Sequence, residues 1–129
     1  MKEMFGRKRQ KEKVSEMIMK YAGDYIALGD DIEHKQQLLN SAVSAWNVAC
    51  IDESERQSAI KKYMRKYRKL NPTHTKLILK DVEKDLKLLI KEKMRLYPDK
   101  KIQIINAQIN EIDGKHHITA MSINKGASV

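Results

Sequence analysis

The chain has 129 residues and a formal net charge of +9, from 26 Lys and Arg against 17 Asp and Glu, with one cysteine and one tryptophan. That length suits one folded unit with its own core, held by neither metal nor disulfide. Cys50 has no partner for an internal bridge and no Cys/His spacing matches a zinc module, which points to a reducing, cytoplasmic setting. No apolar stretch of signal-peptide or membrane-span length is found, so neither segment is expected.

The charge is uneven: counted from the sequence, residues 1–13 carry +4, 14–50 carry −3, 51–72 carry +4, 73–98 carry +3 and 99–129 carry +1. Clustered positive charge favours an anionic partner, whether nucleic acid, acidic protein or membrane surface. A solvated surface is the plain alternative, because 20 of the 26 basic residues are lysine.

By composition, residues 1–13 form a basic, flexible lead-in, with Arg7, Lys8, Arg9, Lys11 and Lys13 able to meet phosphates. A first helix is predicted over 13–28, with Val14, Met17, Ile18, Tyr21, Tyr25 and Leu28 as its buried stripe and Gly29 as its stop. Asp30 or Asp31 caps a second helix over 31–50, in which Ile32, Leu39, Val43, Trp46 and Cys50 recur at helical spacing. The short link makes these two an antiparallel pair. Trp46 reads as core, and Asn47 beside it with Asn40 one heptad earlier leaves a mixed aromatic and amide surface as the alternative.

Asp52 and Glu55 have the spacing of a capping box and open a third helix over 53–70. Ala59, Ile60, Tyr63, Met64, Tyr67 and Leu70 fall in one arc of about 140°, with Lys61, Lys62, Arg65, Lys66, Arg68 and Lys69 opposite. Asn71 and Pro72 end it, and Thr73 or Thr75 caps a fourth helix over 76–97, closed by Pro98. Its inner face carries Ile78, Leu79, Val82, Leu86, Leu89, Ile90 and Tyr97, and Lys80, Lys84, Lys87 and Lys91 form a second positive ridge.

Beyond Pro98 the period becomes alternating. Residues 101–112 and 115–123 read as strands joined at Asp113-Gly114, a two-residue hairpin signal. In that register Ile109 faces Ile118 and Ala107 faces Ala120, while Asn106, Gln108, Asn110, His117 and Thr119 line the other side. Ile104 and Ile105 break the alternation and predict a bulge. Residues 124–129 read as a loose end.

The expected architecture is therefore α+β and mainly α: a four-helix unit followed by a C-terminal two-stranded hairpin, in one domain over 14–123. No catalytic, cofactor or metal constellation stands out. His116 and His117 point to opposite faces of a strand, and His34 beside Asp30, Asp31 and Glu33 looks like a capping cluster. Cys50 at a helix C-terminus is disfavoured as a thiolate and reads as a small core residue. Asp81 and Asp85 belong to a solvated ion-pair face. The glycines form neither a P-loop nor a dinucleotide fingerprint, and no serine sits in a nucleophile elbow.

These features favour a non-enzymatic interaction module, adaptor or regulatory in kind, whose partner is another protein or a second copy joined through the hairpin edge. The alternative is sequence-tolerant binding of RNA or DNA through Lys61, Lys62, Arg65, Lys66, Arg68 and Lys69, aided by Lys80, Lys84, Lys87 and Lys91. A membrane-surface role is disfavoured, because the apolar helix faces are needed for the core.

Overall fold

The computed structural model describes residues 13–124. Four helices, α1 (Val14–Ile26), α2 (Ile32–Ala49), α3 (Glu53–Leu70) and α4 (Lys76–Leu96), precede two strands, β1 (Ile102–Ile112) and β2 (Lys115–Asn124). The fold is the mainly helical α+β arrangement expected, whereas the lead-in and the C-terminal tail lie outside the described residues apart from Lys13 and Asn124.

Helix α1 stops two residues earlier than its apolar spacing implied. Ala27, Leu28 and Gly29 close the end with backbone bonds to Gly23, Tyr25 and Ile26, and Leu28 faces solvent at 70% exposure instead of joining the buried stripe. Gly29 is needed for a close approach: a Cβ there would lie 2.7 Å from Lys35 Cγ and 2.8 Å from the Lys35 backbone nitrogen. Its carbonyl accepts a 2.7 Å bond from Lys35 Nζ, so the start of α2 is pressed onto this turn. Asp31 is the N-cap, its Oδ1 accepting from the His34 N–H at 2.8 Å.

The core gathers around α2. Ala42, Ala45 and Ala49 are small enough to let neighbouring elements close on the helix, and Trp46 is completely buried among them. Tyr21 meets the Trp46 ring edge-on at 5.4 Å and donates its hydroxyl to the Ala42 carbonyl at 2.8 Å. Tyr97, just after α4, packs against the indole at 5.7 Å with its ring tilted by 50°. The expectation that Trp46 is core is met, and the mixed surface alternative is not.

Cys50, read as a small buried core residue, is half-buried at the α2 C-cap and packs against the core. Its thiol points at the carbonyls of Ile102 and Lys100, at 3.3 and 3.6 Å, and burial pushes its pKa up.

Helix α3 lies at the periphery, with Ile60 as its one buried residue. The capping box fails. Asp52 makes no side-chain cap bond, because the Glu55 N–H is already taken by the Asp52 main-chain carbonyl at 2.9 Å. Arg56 instead ties α3 to the end of α2, donating to the carbonyls of Ala49 at 3.0 Å and Ile51 at 3.2 Å, groups that a helix terminus leaves without intrahelical donors. At the other end Tyr63, Tyr67 and His74 stack in a ladder with centroids 6.1 and 5.6 Å apart.

Thr75 caps α4 through Ile78 N–H at 3.2 Å. Leu86, Leu89 and Ile90 are buried as expected, but Ile78 is exposed because it lies in the first turn, before α4 reaches the core. The position that sequence reasoning missed is Lys93, only 1% exposed. Its ammonium lies 5.1 Å from the centre of the Trp46 ring and donates to the Lys100 carbonyl at 2.6 Å. Burial lowers its pKa.

The hairpin follows the expected register: Ile109 opposite Ile118, Ala107 opposite Ala120, and an irregularity between Ile104 and Asn106. Asp113 and Gly114, with φ of 53° and 76°, make the turn with both central residues left-handed.

Candidate functional site

The hairpin has two edges, and the helices treat them differently. On the β1 edge α2 supplies side-chain amides in place of a third strand. Asn47 donates to the Ile104 carbonyl at 2.9 Å and accepts from the Ile104 N–H at 2.8 Å. About three turns earlier Gln36 donates to the Ala107 carbonyl at 3.0 Å and accepts from the Ile109 N–H at 2.9 Å. The Trp46 indole N–H adds a bond to the Ile102 carbonyl at 2.9 Å. A primary amide carries the same donor and acceptor as a peptide group, so two of them on one face of a helix stand in for a neighbouring strand.

The antiparallel ladder alternates, so residues opposite those bonded to α2 direct their own N–H and C=O groups away from β1. Those partners are Ile118, Ala120 and Ser122 on β2. Helix α1 packs against β2, with Ile118 and Ala120 half-buried against the core, and among the described residues no backbone hydrogen bond is found on that outer edge. No described residue of β2 is buried, and Met121, at 62% exposure, and Ile123 lie beside the open edge, next to Ile105 on the bulge.

The second candidate surface is cationic. Lys61, Lys62, Arg65, Lys66, Arg68 and Lys69 are all exposed along the outer side of α3, and Lys80, Lys84, Lys87 and Lys91 are exposed along α4. The four α4 lysines are brought together with Arg56 around an open groove of about 800 Å³, whose lining also includes Leu88, Ile90 and Met94. None of the six α3 cations lines it. Glu83 is its one acidic wall residue and pairs with Lys87 at 3.1 Å. On the other flank of α4 a hollow of about 320 Å³ carries Asp24, Asp85 and Glu92 with Lys20, and shares Leu88 with the groove.

Tyr63 and Tyr67 are taken up by their own ladder and by a 3.3 Å contact between the Tyr63 hydroxyl and Ser41. The described residues hold no group of three or more His, Cys, Asp or Glu able to bind a metal ion, and none of their helices is long and apolar enough to cross a membrane. His34 Nδ1 accepts the Asp30 N–H at 3.1 Å, as part of the α2 start.

The contributors that sequence reasoning missed are Gln36, Arg56 and Leu88, and Asn47 enters that reasoning only as part of a mixed aromatic and amide surface. A signal existed for the amides: they lie eleven residues apart, which returns to the same face of α2 at the border of its apolar stripe. Arg56 and Leu88 had no comparable sign, since both depend on how α3 and α4 diverge. No protein-family model matches the chain, and no match is found among curated proteins or solved structures.

Proposed function

We propose that this chain is a small protein-interaction module, adaptor or regulatory in kind and not a catalyst, which pairs through the outer edge of β2 with the same edge of a second copy. The observation that carries this reading is the inequality of the two edges: β1 is bonded by the amides of Gln36 and Asn47, whereas no such bonds are found at Ile118, Ala120 and Ser122 of β2 among the described residues. An open edge is a template for another strand. Met121 and Ile123 beside it supply apolar contact across a two-fold axis, where each copy offers the same surface. A reducing cytoplasm, where Cys50 stays a thiol, is the compartment this reading expects.

The test is mass against concentration by light scattering. A species of twice the 15.0 kDa chain mass is expected, falling to the single chain on dilution. Ala120→Pro removes an N–H that faces away from β1, which an edge strand tolerates, so this variant is expected to stay folded and monomeric. Met121→Lys, which blunts the edge with charge, is expected to weaken pairing. A wild-type chain that remains single at all concentrations overturns the reading.

The exposure of all six α3 cations favours a second reading, sequence-tolerant nucleic-acid binding. Anisotropy of labelled single-stranded RNA and duplex DNA decides it. Binding that falls steeply with salt and is lost in the Arg65→Glu, Arg68→Glu, Lys69→Glu variant supports this second reading. Absence of binding at low salt removes it.

A further inference from the structure

We infer that the groove beside α4 is a docking site for an acidic amphipathic helix of another protein. This inference is independent of β2 pairing. Lys80, Lys84, Lys87 and Lys91 recur at spacings of four, three and four residues, one cation for each helical turn, and the lined stretch from Lys80 to Met94 is about 21 Å long. A helix laid alongside has the same rise, so acids at the same spacing on its surface meet every cation in register. The four-three-four spacing reads the same in both directions, so parallel and antiparallel partners fit the charges equally.

The apolar lining decides between anions. Leu88, 52% exposed, lies on one flank of the lysine ridge, and Ile90 with Met94 on the other. A phosphate backbone gains nothing from these side chains, whereas the Leu or Ile residues of an amphipathic helix bury against them. The basis for selectivity is charge complementarity: five cations line the groove against the single carboxylate of Glu83. Asp85 lies on the other flank of α4, where it interacts with Lys84 but lines no part of the groove, and Glu92 there is paired with Arg95 at 2.6 Å. Arg56 is held in place by the carbonyls of Ala49 and Ile51, which makes one wall of the groove rigid before any partner arrives.

The probe is a fluorescein-labelled helical peptide of about 18 residues, carrying Glu at the four-three-four spacing and Leu on the adjoining stripe. Two controls replace Glu by Gln or Leu by Ser. Binding of the parent peptide is expected, with each control about tenfold weaker. Lys84→Glu with Lys87→Glu, and separately Leu88→Ser, are expected to cost about tenfold or more with unchanged melting curves, because all three side chains are exposed. Shifts of the Ile90 and Met94 methyl resonances are expected to mark the site. The same measurements in Ala120→Pro show whether the groove acts without β2 pairing.

The inference is overturned if the Ser-for-Leu peptide binds as well as the parent, or if binding survives both protein variants. Preferential binding of single-stranded RNA or of vesicles containing phosphatidylserine, insensitive to Leu88→Ser, also overturns it.

Discussion

Asn47 and Ile104 exchange two hydrogen bonds, at 2.8 and 2.9 Å, in the pattern that two strands of a sheet use, although one partner is a side chain on a helix. Ile104 is itself buried, so neither of its peptide groups has water as an easy substitute. Asn47→Asp keeps the shape but turns the donor into an acceptor facing the Ile104 carbonyl. A loss of about 1–3 kcal/mol is expected in urea unfolding, together with faster amide exchange at Ile104. Unchanged stability and exchange would show that the amide is dispensable for holding the hairpin.

Lys93 is the buried cation of the core, and its neighbours allow a sharp comparison. Lys93→Met keeps the length of the side chain while removing both the desolvated charge and the bond to the Lys100 carbonyl. Stability at neutral pH within about 1 kcal/mol of wild type is expected. Lys93→Ala is expected to cost at least about 2 kcal/mol through the cavity beside Trp46. Burial holds the folded pKa below the ordinary 10.5, so the unfolded chain binds more protons between that lowered value and 10.5. Wild-type stability relative to Lys93→Met should therefore rise with pH across this window.

Tyrosine acts with the opposite sign. Burial, reinforced by Tyr25, pushes the Tyr21 hydroxyl far above its ordinary value of 10.0, and burial pushes Tyr25 up to about 12. Both contributions are fully present below pH 10 and are lost as rising pH ionises the unfolded chain first; for Tyr25 the loss falls between pH 10 and about 12. Tyr21→Phe is expected to cost about 1 kcal/mol at neutral pH, for the bond to the Ala42 carbonyl, and to flatten the alkaline unfolding curve. An unaltered alkaline slope would contradict the role assigned to Tyr21.

At Gly29 the added methyl of Gly29→Ala meets the backbone of Lys35, which cannot move without shifting the start of α2. A loss of about 1–3 kcal/mol is expected from thermal melts. Gly23→Ala is the contrasting control: its Cβ would meet only the end of Met19 at 3.4 Å, and alanine favours a helix interior, so no loss is expected there.

The elements were legible because each obeys one period over many residues. The extent of α3, the Thr75 cap and the Asp113-Gly114 turn all depend on neighbours in sequence, and all are found in place, although of the α3 arc only Ile60 is buried and Leu70 faces solvent. Leu28 and Ile78 misled because a periodic pattern does not say where a helix leaves the core. Lys93 misled in the other direction. A lysine in an apolar stripe reads as a gap, and only the Trp46 face and the Lys100 carbonyl, brought there by the chain beyond Pro98, explain why it is buried. The ten cations of the candidate surfaces were visible one by one, and all ten are exposed. Their division into an open ridge on α3 and a groove beside α4 depends on tertiary packing, which no window of sequence contains.

The amides of Gln36 and Asn47 also limit what can be built from this chain. A strand pair with both edges free can add neighbours on either side without end, the geometry of a fibre. With β1 already occupied, sheet extension proceeds from β2 alone, and a second copy that joins there brings its own closed β1 to the far side. Growth by strand addition then terminates at four strands. On the proposed pairing, two polar side chains on one helix face would thus stop runaway polymerisation.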